Sequence, residues 1–351
     1  MSGAEPAPTD GEARFTVRPY RDGDQHAILA LFNDVFRVGN PDFVPRTLAQ
    51  WSWAFARNPE GHHTFVAESA GRLVGTYTAI PARWRFPEGV HLGAQAVDTV
   101  VAPEFRRSLR KNGLFLTLAD RWFDHYGRKE RDRIVYGFPN PQAFRIGTTK
   151  VGYLPVHCPV PELALPVAAA RSWAPEGVHV VEVERFGREV DAFDAALAAG
   201  RGISAVRDAR YLNWRYADCP TTRYRLLRAE SASGKLRGFL VHGLGWHGFR
   251  REIAPIVDFL VAPGDATTWR ALLGDAARAA DAAGAVAGAP RLDTLLAWAP
   301  PPHRHWRDLT ALGFRPEPSR FNLCIRIFTD SFDLEFARAH WYVVMGDSDI
   351  Y

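Results

Sequence analysis

Apolar and polar positions alternate along the chain with two different periods, and the two periods follow each other in a regular order. Apolar residues recur every three or four positions over residues 28–36, which predicts an amphipathic helix capped by Asp22 or Asp24. Apolar runs separated by turn residues predict strands. The elements predicted in the first half are, in order, this helix, a helical stretch at 50–55, strands at 64–69, 72–80 and 93–101, a helix at 113–126, a strand at 134–138 and a helix at 140–150 that ends at Gly152.

The second half of the chain repeats the first. Three short sequences return in the same order, each shifted by 160 to 162 residues: VAESAGRLVGT at 66–76, VDTVVAP at 97–103 and VGY at 151–153. Because these similarities share one order and nearly one offset, they predict a duplicated domain with a mixed α/β sheet in each copy. The elements predicted in the second copy are a helix at 203–216, strands at 222–230, 236–244 and 252–262, a helix at 265–283, a strand at 293–299 and a final helix.

Composition marks the predicted domain boundaries. Residues 1–12 are polar and acidic, which predicts a disordered N-terminus without the basic start and apolar core of a signal peptide. Residues 158–178 are rich in Pro and Ala and predict a linker. The predicted organisation is an N-terminal domain at 13–157 and a C-terminal domain at 179–351.

Charge and cysteine usage exclude several classes of partner. The chain of 351 residues has 43 Lys and Arg against 39 Asp and Glu, with the positive charges spread along it, so no nucleic-acid partner is predicted. It lacks a run of about 18 apolar residues, so no membrane association is predicted. The three cysteines lie far apart and form no metal or redox motif, which predicts buried thiols in the cytoplasm.

A basic loop follows the predicted strand at 93–101. It is succeeded by Gly113, which opens an apolar helix. A helix N-terminus carries unpaired amides and a partial positive charge, so this arrangement suits a pyrophosphate group. The alternative that the residues alone leave open is a strand-to-helix connection with a solvated basic loop.

This segment resembles the GNAT (Gcn5-related N-acetyltransferase) superfamily, whose acyl-CoA signature is Arg/Gln-x-x-Gly-x-Gly/Ala. Residues 110–115 (RKNGLF) match the Arg and the first Gly, whereas Phe115 replaces the final small residue. The hairpin before the signature and the segment 140–153 after it also resemble the family. The resemblance covers residues 14–155 and extends to 200–328 only through the internal repeat.

The resemblance implies two tandem GNAT-like folds. It also implies that the co-substrate is acetyl-CoA or another acyl-CoA. A bulge on the signature strand is implied to open a slot in which the backbone of Thr99, Val100 and Val101 pairs with pantetheine. Asn140 is implied to face the cofactor from the neighbouring strand. The residues implied to hold the pyrophosphate are Arg106, Arg107, Arg110, Lys111, Asn112, Gly113, Leu114 and Phe115.

The second copy lacks this signature. No Arg-x-x-Gly follows VDFLVAP, and the acidic Asp265 and Asp275 replace the basic run. The C-terminal domain is therefore predicted to bind no CoA, to pack against the first domain and to form part of the acceptor pocket.

Two side chains are the predicted catalytic groups. The resemblance implies a carboxylate base on the signature strand, where Asp98 lies, although Asp258 occupies the same place in the second copy. Thr148 stands where many relatives have the tyrosine that protonates the leaving thiolate, so Tyr136, Tyr153 or water is left for this step. The predicted catalytic residues are Asp98 and Tyr136.

Other groups have an acceptor-binding and a structural interpretation. The aromatic residues Trp51, Trp53, Phe55 and Trp84 indicate either an acceptor pocket or core packing. Near the end of the sequence, Asp347 or Asp349 could attract a cationic amine, or could belong to a solvated tail. The His62–His63 and His303–His305 pairs lack metal-type spacing, so no metal is predicted.

The predicted function is N-acetyl transfer from acetyl-CoA, or a related acyl-CoA, to the amine of a small-molecule acceptor in a ternary complex. Two alternatives stay open: a non-catalytic acyl-CoA sensor, and a transferase that uses a carrier-linked donor. The acceptor, the acyl length and the oligomeric state are not predicted.

Overall fold

The computed structural model describes residues 15–106, 113–244, 252–285, 291–301 and 303–350, which form two mixed β-sheets covered by helices. The strands are β1 Thr16–Pro19, β2 His63–Ser69, β3 Arg72–Phe86, β4 Gly89–Val101, β5 Asp132–Gly137, β6 Leu154–His157, β7 Glu162–Pro166, β8 Val178–Val183, β9 Ser204–Ala205, β10 Tyr224–Ser231, β11 Leu236–Gly243, β12 Ile253–Val261, β13 Thr294–Trp298, β14 Arg315–Glu317 and β15 Leu323–Ile327.

The helices follow the predicted order in most places. They are α1 Asp24–Arg37, α2 Leu48–Trp51, α3 Leu114–Tyr126, α4 Pro141–Ile146, α5 Val167–Ala170, α6 Glu189–Ala196, α7 Ala209–Leu212, α8 Ala266–Gly284, α9 Arg304–Ala311 and α10 Leu334–His340. Short π-helical turns extend α2, α4 and α7, and a 3₁₀ turn lies at Met345–Asp347. No helix among the described residues has the length and apolar character needed to cross a bilayer.

The two sheets have the same connectivity. The first has the order β1-β2-β3-β4-β5-β15-β6, with β9 added to β3, and the second has the order β8-β10-β11-β12-β13-β7-β14. In each sheet a single parallel pair, β4–β5 or β12–β13, lies among antiparallel neighbours. The predicted duplication of a mixed α/β fold is therefore confirmed.

The two halves of the chain exchange one strand. Strand β15, from the second half, lies between β5 and β6 of the first sheet, and β7, from the first half, lies between β13 and β14 of the second. Strand β7 and helix α5 fall within 158–178, the segment predicted to be a linker. The domain boundaries 13–157 and 179–351 stay a prediction, because each half of the chain contributes one strand to the sheet of the other half.

Two predicted helix starts are wrong. Helix α1 begins at Asp24 itself, with Gly23 as its cap, because the Asp24 carboxylate binds Arg18 instead of the helix end. The helix predicted at 203–216 is strand β9 followed by α7, which begins at Ala209 because the Asp208 side chain caps it. A capping residue inside an apolar run thus decides where the run becomes helical.

A shared core joins the sheets. Buried side chains from both sheets pack in one cluster that includes Trp84 and Tyr136 of the first sheet, Phe239 and Trp298 of the second, and Trp341 near the end of the sequence. Helices α3 and α8 cover the opposite faces of the first and second sheets. Because one core serves both sheets, each sheet stabilises the other.

A buried histidine should make this fold sensitive to acid. Burial lowers the pKa of His305 from 6.5 to about 4, and its ring lies against Phe259, Trp269 and Tyr342. As the pH falls, the unfolded chain therefore binds a proton at this histidine before the folded chain does. The free energy of unfolding accordingly decreases by about 3 kcal/mol between pH 6.5 and pH 4. Urea unfolding at pH 7.5 and 4.5 should show a smaller pH difference for His305→Leu than for the wild-type protein. Equal differences would contradict this assignment.

Candidate active site

A bulge opens the first sheet on strand β4. The register between β3 and β4 shifts opposite residues 97–100, and Asp98 adopts a left-handed conformation with φ of 50°. The parallel pairing of β4 with β5 ends at Gln95 and Tyr136. Beyond this point a cavity of about 380 Å³, which we call the slot, lies between the strand ends.

Several predicted cofactor-binding residues line this slot. Asp98 and Thr99 face it from the bulge, Phe115 from the first turn of α3, and Asn140 from the end of β5. The Asn140 side chain also accepts a hydrogen bond from the backbone N–H of Ala143, 2.9 Å away, and so caps α4. The structure thus brings these four residues together around one cavity.

Other predicted cofactor residues do not line the slot with their side chains. Val100, Val101 and Leu114 are buried in the core between the first sheet and α3. Gly113 is the cap residue before α3. The Arg106 guanidinium donates through Nε to the carbonyl oxygen of Val101, 2.8 Å away. Arg107, Arg110, Lys111 and Asn112 lie outside the described residues.

A second cavity, of about 180 Å³, adjoins the slot. The two cavities share Arg46, Val97 and Asp349, so they meet beside the bulge. Arg46 forms an ion pair with Asp98, and Gln95 donates to the Asp349 carboxylate at 2.7 Å. A cation and two carboxylates are therefore held at the junction of the cavities.

The electrostatic environment of Asp98 is set by this junction. Burial raises the pKa of Asp98, the positive charge of Arg46 lowers it, and the negative charge of Asp349 raises it further. A buried carboxylate with an elevated pKa accepts a proton more readily near neutral pH than an exposed one. The bulge thus carries a carboxylate suited to proton transfer, although Arg46 competes for it.

Aromatic rings form much of the second cavity. Trp53 and Trp214 stack at 5.9 Å between ring centroids, and each indole N–H donates to the backbone carbonyl of the other residue. Tyr211 and Tyr224 complete this aromatic lining. The second half of the chain therefore contributes to a cavity next to the first half's slot.

Comparison with known proteins identifies this arrangement. Residues 16–156 match the acetyltransferase (GNAT) domain family. Residues 16–156 form a GNAT domain. A comparison with curated protein sequences finds no match.

Solved structures extend the likeness to the whole described fold. A GCN5-related N-acetyltransferase from Anabaena variabilis superimposes with a TM-score of 0.61 at 12% identity, over 90% of this chain and 73% of that one. A probable N-acyltransferase from Enterococcus faecalis gives 0.60 at 13% identity, over 90% and 72%. A tandem GNAT protein from the clavulanic acid biosynthesis pathway gives 0.55 at 16% identity, over 90% and 99%. The tandem GNAT-like fold expected from the sequence is confirmed.

The structure does not bring Tyr136 to the junction. Its hydroxyl donates to the backbone carbonyl of Asp347, 2.9 Å away, and its ring lies against Trp84 and Trp341. Burial raises the pKa of Tyr136 well above 10, which makes its hydroxyl a poor acid. Its catalytic role stays a sequence prediction, and its contacts are those of a residue that supports the chain before Asp349.

The other predicted tyrosine lies deep in the slot of the GNAT domain. The hydroxyls of Tyr153 and Tyr77 are 2.6 Å apart, and both residues line the slot. Of the aromatic residues considered for an acceptor pocket, Trp53 lines the second cavity, whereas Trp51, Phe55 and Trp84 are buried in cores. Core packing is therefore confirmed for these three residues, whereas an acceptor-binding role of Trp53 stays a prediction.

Arg46 and Gln95 were missed by reasoning from the sequence. A signal for Arg46 was present: it lies 161 residues before Arg207, and Trp53 lies 161 residues before Trp214, so the internal repeat includes this segment. The repeat is hard to recognise in this segment because the residues between the two positions differ in the two copies. Gln95 carries no sequence signal, since only its contact with Asp349 distinguishes it.

Proposed function

We propose that the GNAT domain transfers an acyl group from an acyl-CoA, with acetyl-CoA as the donor, to the amine of a small-molecule acceptor. The observation that carries this proposal is the meeting of the two cavities at Arg46, Val97 and Asp349. A donor in the slot and an acceptor in the second cavity would meet at the bulge. Such placement turns a bimolecular reaction into one between bound groups, which is a large part of enzymatic rate enhancement.

The donor would lie with its pantetheine arm between the ends of β4 and β5. Asp98 and Thr99 have no partner residue in the register of β4 with β3 or β5, so their backbone groups are the candidates to pair with its amides and with the thioester carbonyl. Hydrogen-bond donors aimed at a developing oxyanion contribute about 3 kcal/mol to catalysis. The basic residues that precede α3, among them Arg110 of the signature, would hold the pyrophosphate.

The acceptor amine would lie between Asp349 and the aromatic wall of the second cavity. Asp349 accepts a hydrogen bond from Gln95 and lines both cavities. An ammonium group is attracted both to a carboxylate and to the faces of Trp and Tyr rings. This favours a compact cationic amine with an apolar body as the acceptor.

The proposed reaction is direct. The bound ammonium first releases one proton to solvent. The neutral amine then attacks the thioester carbonyl carbon, a C–N bond forms, the C–S bond breaks, and CoA leaves as a thiolate. Asp349 takes the proton that the amine loses, and solvent protonates the thiolate, whose thiol has a pKa of about 8.5. Asp98 is the second candidate for the base, since it stands at the same junction.

Titration of acetyl-CoA into the protein tests the donor half of the proposal. Gly137 borders the slot, and a side chain at this position would point at Ala96 across it. We expect micromolar binding by the wild-type protein and a loss of at least about 100-fold in Gly137→Val, because the valine would fill the slot. The matched control is Gly137→Ala, whose Cβ meets Ala96 at an ordinary contact distance of 3.4 Å.

A panel of amines tests the acceptor half. Release of CoA with at least one amine, and its loss in Gly137→Val, is the expected result. Acetyl-CoA binding without CoA release across the panel would contradict transfer to a free amine and support the sensor. No binding of acetyl-CoA by the wild-type protein would contradict the donor assignment and direct the search to longer acyl-CoAs and carrier-linked donors.

A further inference from the structure

The second sheet has a counterpart of the bulge and its ion pair. Asp258 corresponds to Asp98 through the repeat, and the register of β12 against β11 shifts beside it. Arg207 corresponds to Arg46 and binds Asp258 through Nε at 2.6 Å. The two halves therefore share the local architecture that, in the first half, borders the slot.

In the second half this place is filled by the chain itself. Residues 341–349, which we call the plug segment, pack against β12, and the Tyr342 hydroxyl donates to the Phe259 carbonyl at 2.7 Å. Phe259 is the counterpart of Thr99, whose backbone faces the slot in the first half. The plug segment thus occupies the position that a cofactor would take at the second bulge.

Charge holds the plug segment in this position. The Asp347 carboxylate accepts from Nη2 of Arg207 at 2.9 and 3.0 Å, so this arginine binds both Asp258 and Asp347. All three side chains are fully buried. Removing one partner from such a buried set would leave an uncompensated buried charge, so its geometry is strongly held.

The end of the plug segment reaches the acceptor cavity. Tyr136 donates to the Asp347 carbonyl, and Arg215 donates through Nη2 to the Ser348 carbonyl at 2.7 Å. The next residue is Asp349, bound by Gln95. These contacts fix the backbone immediately before the carboxylate that lines both cavities.

We propose that the second bulge is a socket for the plug segment, and that this socket positions Asp349 for the reaction in the GNAT domain. Arg207 and Gly346 are then positioning residues that act through Asp349. The inference rests on the proposed function for its catalytic part. It also gives the second half of the chain a role that needs no ligand of its own.

Gly346 provides a specific way to test the socket. A Cβ at this position would overlap the Tyr216 hydroxyl and lie 3.2 Å from an Asp258 carboxylate oxygen. Gly346→Ala should therefore displace the plug segment without removing any charge. Tyr216→Phe removes the overlapping oxygen, so the double variant Gly346→Ala/Tyr216→Phe should restore much of the docking.

The experiment compares these three variants with the wild-type protein in hydrogen exchange, acetyl-CoA titration and turnover with the fastest amine of the panel. We expect amides of 341–349 to exchange at least about 10-fold faster in Gly346→Ala than in the wild type, since a displaced segment loses its protection. The kcat/KM for the amine should fall about 100-fold, because the base is misplaced by an ångström or more. The Kd for acetyl-CoA should change less than about twofold, and the double variant should recover turnover.

Three outcomes would overturn the inference. They are unchanged exchange in Gly346→Ala, faster exchange with unchanged kcat/KM, and a double variant that recovers docking without recovering turnover. Wild-type protein that fails to bind acetyl-CoA, or that releases no CoA, would instead contradict the proposed function. Arg207→Lys, which keeps the buried charge, should retain more turnover than Arg207→Met.

Discussion

Splitting the chain between Ser172 and Trp173 should leave two fragments, neither of which folds by itself. The first fragment would lack β15, which belongs between β5 and β6, and the second would lack β7, which belongs between β13 and β14. Each loss leaves an unpaired strand edge inside a sheet and exposes part of the shared core. Each fragment keeps the counterpart of the strand it lacks, β7 in the first and β15 in the second, so it could fold alone only if that strand moved into the vacant interior position of its own sheet. The exposed half of the shared core disfavours such a monomer.

Expression of the two fragments alone and together provides the measurement. Residue 172 is exposed in a turn, so the break itself disturbs little. Circular dichroism and sedimentation should show unfolded or aggregated single fragments and a folded heterodimer after co-expression. A first fragment that is folded, monomeric and binds acetyl-CoA alone would contradict this prediction and show that β7 can take the place of β15.

Replacing Asp349 with asparagine should lower kcat by about 100- to 1,000-fold at neutral pH, the usual contribution of a general base. Asparagine keeps the shape of the side chain and can still accept the hydrogen bond from Gln95, so the plug segment should stay docked. The Kd for acetyl-CoA should change little. Stopped assays of CoA release, with saturating amine and over a range of pH, would measure the effect.

Two matched variants sharpen this experiment. Asp98→Asn removes the partner of Arg46. If this variant lost kcat by a comparable factor while Asp349→Asn was nearly unaffected, Asp98 would be the base instead of Asp349. Asp330→Asn changes an exposed carboxylate that lines neither cavity and should have no effect. If Asp349→Asn kept wild-type kcat, Asp349 would not be the proton acceptor.

Local sequence sufficed for the strands and the helix that border the slot of the GNAT domain. The alternation of apolar runs and turns placed β2 to β5, and the glycine before an apolar helix placed α3, since each depends on neighbours within a few residues. Asp98, Thr99, Phe115 and Asn140, which the family resemblance implied as site residues, belong to one contiguous region and line the slot. Such elements are predictable because period and capping are local properties.

The second cavity could not be predicted in the same way. Arg46, Gln95 and Asp349 lie far apart in sequence and meet only because the two sheets share a core. The same packing turned Tyr136, which the sequence suggested as an acid, towards the Asp347 carbonyl. A side chain's partners across a core depend on how whole sheets pack, which no local pattern encodes.

The sequence by itself determined that this chain is a duplicated α/β protein with a cofactor signature in its first copy only. Tertiary structure alone decided that β7 and β15 exchange sheets and that the plug segment fills the second bulge. Strand exchange leaves the alternation of each strand unchanged, because a strand buries the same faces in either sheet. The relative positions of the two halves decide which sheet receives each exchanged strand. The same relative positions place Asp349 beside the slot.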